Sequence, residues 1–522
     1  MKQRREGARP ANPAAGEAPF GKILIANRGE IAVRIIRACW EMGIRTVAVY
    51  SDADRTAPHV RFAHEAYNIG PPSPLQSYLD IERVLDAARR SGAEAIHPGY
   101  GFLAENAQFA SACRDAGVTF IGPPPEAMGM LGDKVRARQL MTDAGVPVVP
   151  GTPPLPQDPD EVAGLAKKLG FPVLLKAAAG GGGRGMRIVR GEGEIESRLA
   201  QARGEAATAF GNDTIFMEKY VERPRHIEVQ ILADGQGNCI HLGERECSIQ
   251  RRHQKLIEEC PSPVIDEKTR AEVGALAIKA VQASGYVNAG TVEFLRGDDG
   301  SFYFMEVNAR LQVEHPVTEE VTGVDLVKAM IRVAAGEKLP WSQDDIRPRG
   351  HSIECRIIAE DPARNFMPAP GTITGLRTPA GPGVRYDDAT YAGWTVPVHY
   401  DPMIAKLVSW GRDRREAIER MTRALNELRI DGLTTSVPFH RRVMRNRAFV
   451  AGELHTGFLD EHPDLLENDA DDWLEEIAVI AASVAHHRRV ETRSARDSGA
   501  AAGGPASMWK WHGRGGWRKQ AR

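Results

Sequence analysis

Cysteine is sparse and unpatterned in this sequence. The six residues Cys39, Cys113, Cys239, Cys247, Cys260 and Cys355 form no CxxC pair and no close ladder with histidine, which leaves neither a disulfide frame nor a zinc-finger site to argue for. They read as buried or reduced thiols. Long apolar runs are also missing: no stretch approaches the ~18 consecutive apolar residues of a membrane span. The basic N-terminus MKQRREGARPANPAAGEAPF lacks the apolar core of a secretion signal. These absences predict a soluble cytoplasmic protein with no membrane contact and a disordered leader over residues 1–19. An excess of one charge is absent too, since 67 Lys and Arg meet 69 Asp and Glu for a formal net charge of -2. That excludes the global field of a nucleic-acid binder, so any anion site must be local. No internal repeat is visible.

The rest is ordinary globular composition, 42% hydrophobic and 26% charged over 522 residues, and at about 150 residues per domain it suggests three or four units. From Lys22, KILIANRGEIAVRIIRACWEMGIRTVAVYSDAD reads as a strand, a polar turn, a helix with Ile31, Ile35 and Ile36 on one face, and a second strand. Further strands near 95–97 and 119–121 make residues 20–135 a doubly wound parallel α/β domain. A dinucleotide site is excluded at its first turn, because NRGE lacks the spaced glycines that admit a pyrophosphate. The proline-rich stretch 147–159 reads as a linker. FPVLLKA and MRIVR then read as strands around a glycine run, with a helix at about 194–210. Strands IFMEKYV, HIEVQILAD and NCIHLGE follow, a helix at 268–284, and the hairpin GTVEFL-RGDDG-SFYFMEV. Residues 351–408 look mainly strand-forming, and 413–428 and 437–446 helical. Beyond about 465, a helical stretch 473–487 leads through a small-residue linker to MWKWHGRGGWRKQAR. That end is either a docking arm or merely sticky.

Three segments carry chemistry. The run Gly180, Gly181, Gly182, Gly183, Arg184, Gly185 lies between two strands with no Gly-Lys-Ser/Thr after it, so it is not a Walker loop. It is a flexible connector or a lid whose backbone N–H groups crowd phosphate oxygens, and Lys176 on the preceding strand favours the lid. In FMEVNARLQVEH, an extended chain would put Glu306, Asn308, Arg310, Gln312 and Glu314 on one face. A half-buried surface strand also alternates, but rarely with so pure a set of carboxylates, amides and a guanidinium. On a straight strand Glu306 and Glu314 would stand about 26 Å apart, so the chain bends or serves two adjacent subsites. Glu306 and Asn308, with Glu293 from the other arm of the hairpin, suit Mg²⁺ or Mn²⁺, and the absence of His or Cys argues against zinc. Arg310 onward is then free for a small planar anion. Finally, SIQRRHQK gathers Arg251, Arg252, His253 and Lys255. It is a solvated face or a phosphate contact, favoured as the latter because a hairpin joins it to the strand carrying His226 and Glu228.

Taken together, IANRGEIA, HPGYGFLAENA, GDK, GGGGRGM, ERECSIQRRHQK, EVNARLQVEHPVTE, ECRIIAEDP and YDPMIAKL, in this order from about Phe20 to His462, resemble biotin carboxylase of the ATP-grasp superfamily, found in acetyl-CoA, propionyl-CoA and pyruvate carboxylases. The resemblance implies an α/β and α+β architecture: a leader 1–19, an N-terminal α/β domain 20–135, an ATP-grasp region 136–335 with a mobile lid at about 150–221, a mixed C-terminal domain 336–465, and a helix plus flexible tail 466–522. It implies ATP contacts from Lys134, Lys176, the 180–185 lid, Glu218, Lys219, Val221, His226, Gln250, His253 and Lys255. The cation, Mg²⁺ or Mn²⁺, would sit on Glu293, Glu306 and Asn308, and bicarbonate on Arg310, Gln312 and Val313. Glu314 would be the base, and Arg356 would stabilise the enolate-like oxygen of deprotonated biotin. Lys255, Arg310, Glu314 and Arg356 form the implied catalytic set.

The implied reaction makes carboxyphosphate from ATP and bicarbonate and carboxylates biotin. A biotinyl lysine needs a Met-Lys-Met setting, and the only Met-Lys is Met1-Lys2. Biotin is therefore expected on a separate carrier protein, with a carboxyltransferase on another chain and the carboxylase itself a homodimer. Ala309, where Thr or Pro is common, and the shorter glycine run after Ala178 and Ala179 depart from the family pattern, and only the lid's mobility is put in question. The rivals are another ATP-grasp ligase that makes an acylphosphate and a nucleotide-binding module that has lost its chemistry. The complete acidic and basic set argues against the second.

Overall fold

The computed structural model describes residues 18–177, 186–467 and 477–487. The chain divides into two units at Glu467. In the first, Phe20 and the strands that follow open a five-stranded sheet in the order β3-β2-β1-β4-β5. Its strands are β1 (Lys22–Ile25), β2 (Arg45–Ser51), β3 (Glu65–Gly70), β4 (Ala95–His97) and β5 (Thr119–Phe120), all parallel. Such strands are buried on both faces, which explains the fully buried Ile23, Leu24 and Ile25. The helix Gly29–Glu41 buries Ile31, Ile35 and Ile36, as their spacing predicts. The NRGE turn pins its neighbours: the Asn27 amide donates to the carbonyls of Pro98 and Tyr100, both at 2.7 Å, and Arg28 forks onto Asp54 at 2.6 and 2.7 Å.

The stretch 147–159, expected as a linker, is a strap. Thr152 and Leu155 donate to the carbonyls of Met217 and Ile215, and Lys219 donates to that of Pro150, each at 2.8 Å. Prolines leave the remaining N–H groups free for such edge pairing. The strap closes onto a three-stranded antiparallel sheet, order β7-β6-β8, made of β6 (Val173–Ala177), β7 (Met186–Val189) and β8 (Ile215–Lys219). The helices Pro159–Leu169 and Ile195–Phe210 cover it, and Val162, Leu175, Leu199 and Met217 form its separate core. The loop between β6 and β7, with its six-residue glycine-rich run 180–185, lies outside the described residues.

An eight-stranded sheet organises the rest of the unit, in the order β13-β12-β9-β10-β11-β14-β19-β18. Its members in chain order are β9 (Arg225–Ala233), β10 (Cys239–Arg251), β11 (Gln254–Cys260), β12 (Asn288–Arg296), β13 (Phe302–Asn308) and β14 (His351–Ile358). Two short ribbons intervene, β15 (Glu360–Asp361) with β16 (Met367–Pro368), and β17 (Gly375–Arg377) with β20 (Arg429–Asp431), before β18 (Val384–Asp388) and β19 (Met403–Gly411) complete the sheet. Helix Glu267–Ala283 packs on β9 and β10 through Val273, Ala277 and Val281. Helix Arg414–Glu427 packs on β14 and β19 through Ala417, Met421 and Leu425. β13 stops at Asn308, and residues 309–314 turn across the sheet into the helix His315–Thr322. The chain thus bends between Glu306 and Glu314.

In the second unit, residues 477–487 are helical and expose Ile477, Ile480 and Val484. The tryptophan-rich end and residues 473–476 lie outside the described residues. Among the described residues no helix is long and apolar enough to cross a membrane.

Phe439 lies in the core of the C-terminal part of the first unit. Phe439 is fully buried and meets Phe366 edge to face, with ring centroids 5.5 Å apart. We expect Phe439→Ala to cost about 3–5 kcal/mol, read as a lower midpoint in chemical unfolding followed by circular dichroism.

Candidate functional site

One face of the large sheet carries a row of opposed residues across four strands. Glu306 on β13 faces Glu293 on β12, Glu293 faces Glu228 on β9, and Glu228 faces Arg245 on β10. Directly opposed residues share a face, and like charges so placed repel. The row therefore requires cations, and the fold supplies two. Arg245, fully buried, reaches Glu228 at 2.5 Å and also donates to Gln230, Thr291 and Thr318 at 2.7, 3.1 and 2.9 Å.

Lys255 is the second. Between the pairs Ile249–Ile257 and Gln250–Lys255 the β10–β11 register slips by one residue, a bulge at Leu256. Such a bulge re-aims a side chain, and here it delivers Lys255 into the acidic row. The ammonium lies 2.5 Å from Glu228, 2.9 Å from Glu293, 2.7 Å from Glu314 and 3.1 Å from the Gln312 side-chain oxygen. Gln312 turns its amide to Glu293 at 3.0 Å, and His226 Nε2 lies 3.2 Å from the same carboxylate.

Glu314 is also held by Arg356, whose Nη2 is 2.9 Å away while its Nε sits 2.6 Å from Glu258. Burial alone would raise the Glu314 carboxyl, but Lys255, Arg356 and Arg245 outweigh it and hold it well below the usual carboxylate range. The same balance, with Lys255 and His226 opposing burial, holds Glu293 well below that range. Both are ionised acceptors held by buried cations.

The turn 309–314 owes its course to the first sheet. Glu105, in the segment HPGYGFLAENA, accepts from the Ala309 backbone N–H and from Arg310 Nε, each at 2.9 Å. Arg310 also donates to the Asn308 side-chain oxygen at 2.9 Å. Lys406, fully buried, donates to the Val313 carbonyl at 2.9 Å and lies 3.3 Å from Glu30. Sequence reasoning misses Glu105, Lys406 and Glu30 because each acts on a segment remote in the chain. It misses Glu258 as well: this is one of two adjacent acidic residues, Glu258 and Glu259, in a strand-like run, and nothing local marks its partner.

The other expected site residues fall in two places. Lys176 and Glu218 form an ion pair across β6 and β8, and Arg138 joins Glu218 at 2.7 Å. Lys219 points elsewhere, donating to the Gly170 and Phe171 carbonyls at 2.8 and 2.9 Å, so only its backbone is available toward a ligand from β8. Val221 follows β8, and Lys134 begins the helix Lys134–Asp143. Gln250 is buried on β10, whereas Arg252 and His253 take left-handed backbone at the β10–β11 turn, with φ of 49° and 67°, and stand exposed. Gly180 to Gly185 and Arg184 lie outside the described residues.

Glu293 and Glu306, face to face, with Asn308 two residues beyond, present only oxygen ligands, which fits a hard divalent cation. His226, Glu228 and Glu293 also bring one ligand atom each within 4.8 Å of one another, but Lys255 neutralises two of the three.

Family models cover most of the chain. Residues 19–128 match the biotin carboxylase N-terminal domain, 133–342 the ATP-binding domain of the carbamoyl-phosphate synthase L chain, and 354–461 the biotin carboxylase C-terminal domain. A pyruvate carboxylase subunit of Methanothermobacter thermautotrophicus is 57% identical over 443 residues, 85% of this chain and 90% of that one. Biotin carboxylase of Nostoc sp. is 56% identical over 442 residues, 85% of this chain and 99% of that one. Among solved structures, the biotin carboxylase domain dimer of 2-oxoglutarate carboxylase from Hydrogenobacter thermophilus, in complex with MgADP, ADP and bicarbonate, superposes with a TM-score of 0.80. It is 50% identical and covers 86% of this chain and 99% of that one.

Removing the Lys255 ammonium should leave buried carboxylates unneutralised, and we expect Lys255→Met to cost about 3–5 kcal/mol at neutral pH. With Lys255 present, Glu293 and Glu314 stabilise the fold above the usual carboxyl value of 4.5 and lose that contribution as pH falls through their depressed values. Without it, the same groups prefer to be protonated, so the variant weakens as pH rises through that value. Thermal unfolding of both proteins should therefore converge on acidification from pH 7 toward 4.5. A gap of constant width would contradict this account.

Proposed function

Because this chain belongs to the biotin carboxylase family, we propose that it carboxylates biotin held on a separate carrier protein, at the expense of ATP and bicarbonate and by way of carboxyphosphate. It is an ATP-dependent ligase. The observation that carries the reading is the convergence of Lys255, Glu314 and Arg356 beside an oxygen-ligand row on one sheet face.

In this reading the acidic row and the basic turn divide the work. Glu293, Glu306 and Asn308 hold Mg²⁺ or Mn²⁺, which when bound draws charge from the nucleotide phosphates. Lys176, Glu218, the backbone beside Lys219 and Val221, His226, Gln250 and His253, with Lys134 and the 180–185 loop, surround the nucleotide. Bicarbonate rests against Arg310, Gln312 and the Val313 backbone. Glu314 accepts its proton as the oxygen attacks the γ-phosphorus and the bond from that phosphorus to the leaving ADP breaks. A carboxylate gripped by Lys255 and Arg356 is a weak base, and its basicity rises as those cations turn to incoming anions. Arg356 then faces the biotin ureido oxygen and stabilises the charge that develops there when the ring nitrogen loses its proton.

The division into domains 20–135, 136–335 and 336–465, a homodimer, a partner carrier and carboxyltransferase, and cytoplasmic residence belong to the same proposal. Relatives named as parts of pyruvate carboxylase and of 2-oxoglutarate carboxylase support a place in the first half-reaction of a multi-chain carboxylase. Acyl-CoA, acetyl-CoA for fatty acid synthesis among them, or pyruvate is the final acceptor, and the transferase partner makes that choice.

Phosphate release from ATP should require bicarbonate and rise with free biotin. Synthesis of a stable acylphosphate without biotin would instead indicate a different ATP-grasp ligase. Within the row, Glu306→Gln should weaken Mg²⁺-ATP use in every partial reaction. Glu314→Gln should spare nucleotide binding while lowering bicarbonate-dependent turnover by about 10²- to 10⁴-fold. Equal loss of nucleotide affinity in both, measured by titration, would refute the two-subsite division.

A further inference from the structure

Behind Arg356 lies a second pair of acids that the mechanism above does not use. Glu258 on β11 and Glu354 on β14 are directly opposed in the antiparallel register, so their side chains share a face, and both are fully buried. Glu258 spends one oxygen on Arg356 at 2.6 Å. Its other oxygen and both oxygens of Glu354 have no hydrogen-bond partner among the described residues. Each nearby cation is already engaged: Lys406 with Glu30, Arg245 with Glu228, Lys255 with Glu228, Glu293 and Glu314, and Arg356 with Glu258 and Glu314. Among the described residues no cation is left for Glu354. Two opposed buried carboxylates with open acceptor sites, of which only Glu258 is paired and that with a guanidinium also engaged by Glu314, cannot both ionise cheaply, and the least costly arrangement is one proton for the pair.

We propose that Glu354 is a positioning residue for Arg356: it shares a single proton with Glu258, so that the pair presents one negative charge to the guanidinium instead of two. The inference rests on the assignment of Arg356 to the biotin oxygen. If the pair lost its proton, the added buried charge would cancel the field of Arg356 where negative charge must develop on biotin, and would draw the guanidinium back from it. The charged groups facing the pair are Arg356 on its own strand, Lys406 on β19, and Glu314 and Lys255 beyond Glu258. Burial, reinforced by the opposed carboxylate, raises the Glu354 carboxyl well above the usual range, and burial raises Glu258 as well. Lys406 and Arg356 oppose these shifts without reversing them.

The test is the pH profile of biotin-dependent turnover in the parent and in Glu354→Gln, whose amide has nearly the same shape and cannot ionise. Past its alkaline limb the parent should lose about tenfold per pH unit, while the variant, within a few-fold of the parent at neutral pH, should keep its rate through that range. Biotin-independent, bicarbonate-dependent ATP turnover should have the same profile in both proteins. An alkaline limb that stays in place in Glu354→Gln overturns the inference. If the variant does not fold, infrared difference spectra of the parent decide: a protonated carboxyl band at neutral pH must vanish over the range of the alkaline limb, and its absence overturns the proposal. A parent without biotin-dependent turnover would refute the function, and the infrared band would still report on the shared proton.

Discussion

The site depends on one ammonium in an acidic setting. Lys255 touches Glu228, Glu293 and Glu314 at once, and these carboxylates come from two strands and a loop that are far apart in sequence. Each buried carboxylate alone would cost several kcal/mol or protonate. Sharing a cation that is itself buried holds the carboxyls of Glu293 and Glu314 well below the usual range, while burial still raises that of Glu228. The row of opposed acids, the turn that brings Glu314 over them and the reach of Arg356 all presuppose that central charge.

The bulge at Leu256 is what makes the arrangement possible. A regular β10–β11 ladder would alternate Lys255 and Glu258 onto opposite faces, because strand side chains repeat every second residue. One slipped residue places both in the same charge network. Downstream, Glu105 and Lys406 clamp the two ends of 309–314, so the N-terminal α/β sheet and the far edge of the large sheet jointly set where Glu314 stands. Both sheets thus grip the same turn, in addition to the core they share.

The region around Arg356 shows how electrostatic surplus is managed. Arg356 is bracketed by Glu258 and Glu314, and Glu354 stands behind with no hydrogen-bond partner among the described residues. A structure that only needed stability would have used apolar residues there, since hydrophobic replacement of buried charges is often neutral or stabilising. The retained acids therefore have a task in tuning the guanidinium.

Much of this was legible in the residues. The apolar spacing of Ile31, Ile35 and Ile36, the short parallel strands at 95–97 and 119–120, and the hairpin ending in Glu306 and Asn308 follow from local periodicity, which strands and helices impose directly on sequence. The proposed catalytic set was legible through motif order. The strap at 147–159 was not, because proline composition describes a chain's stiffness and leaves its partners open. Nor were Glu258, Glu354, Lys406 and Glu105, whose meaning depends on which strand lies opposite. Sequence alone determined which residues have the chemistry to hold a cation, a phosphate and a small anion. Tertiary structure decided which of them meet, because register, bulge and a bent turn are set by pairing across the sheet and leave no mark within any single strand.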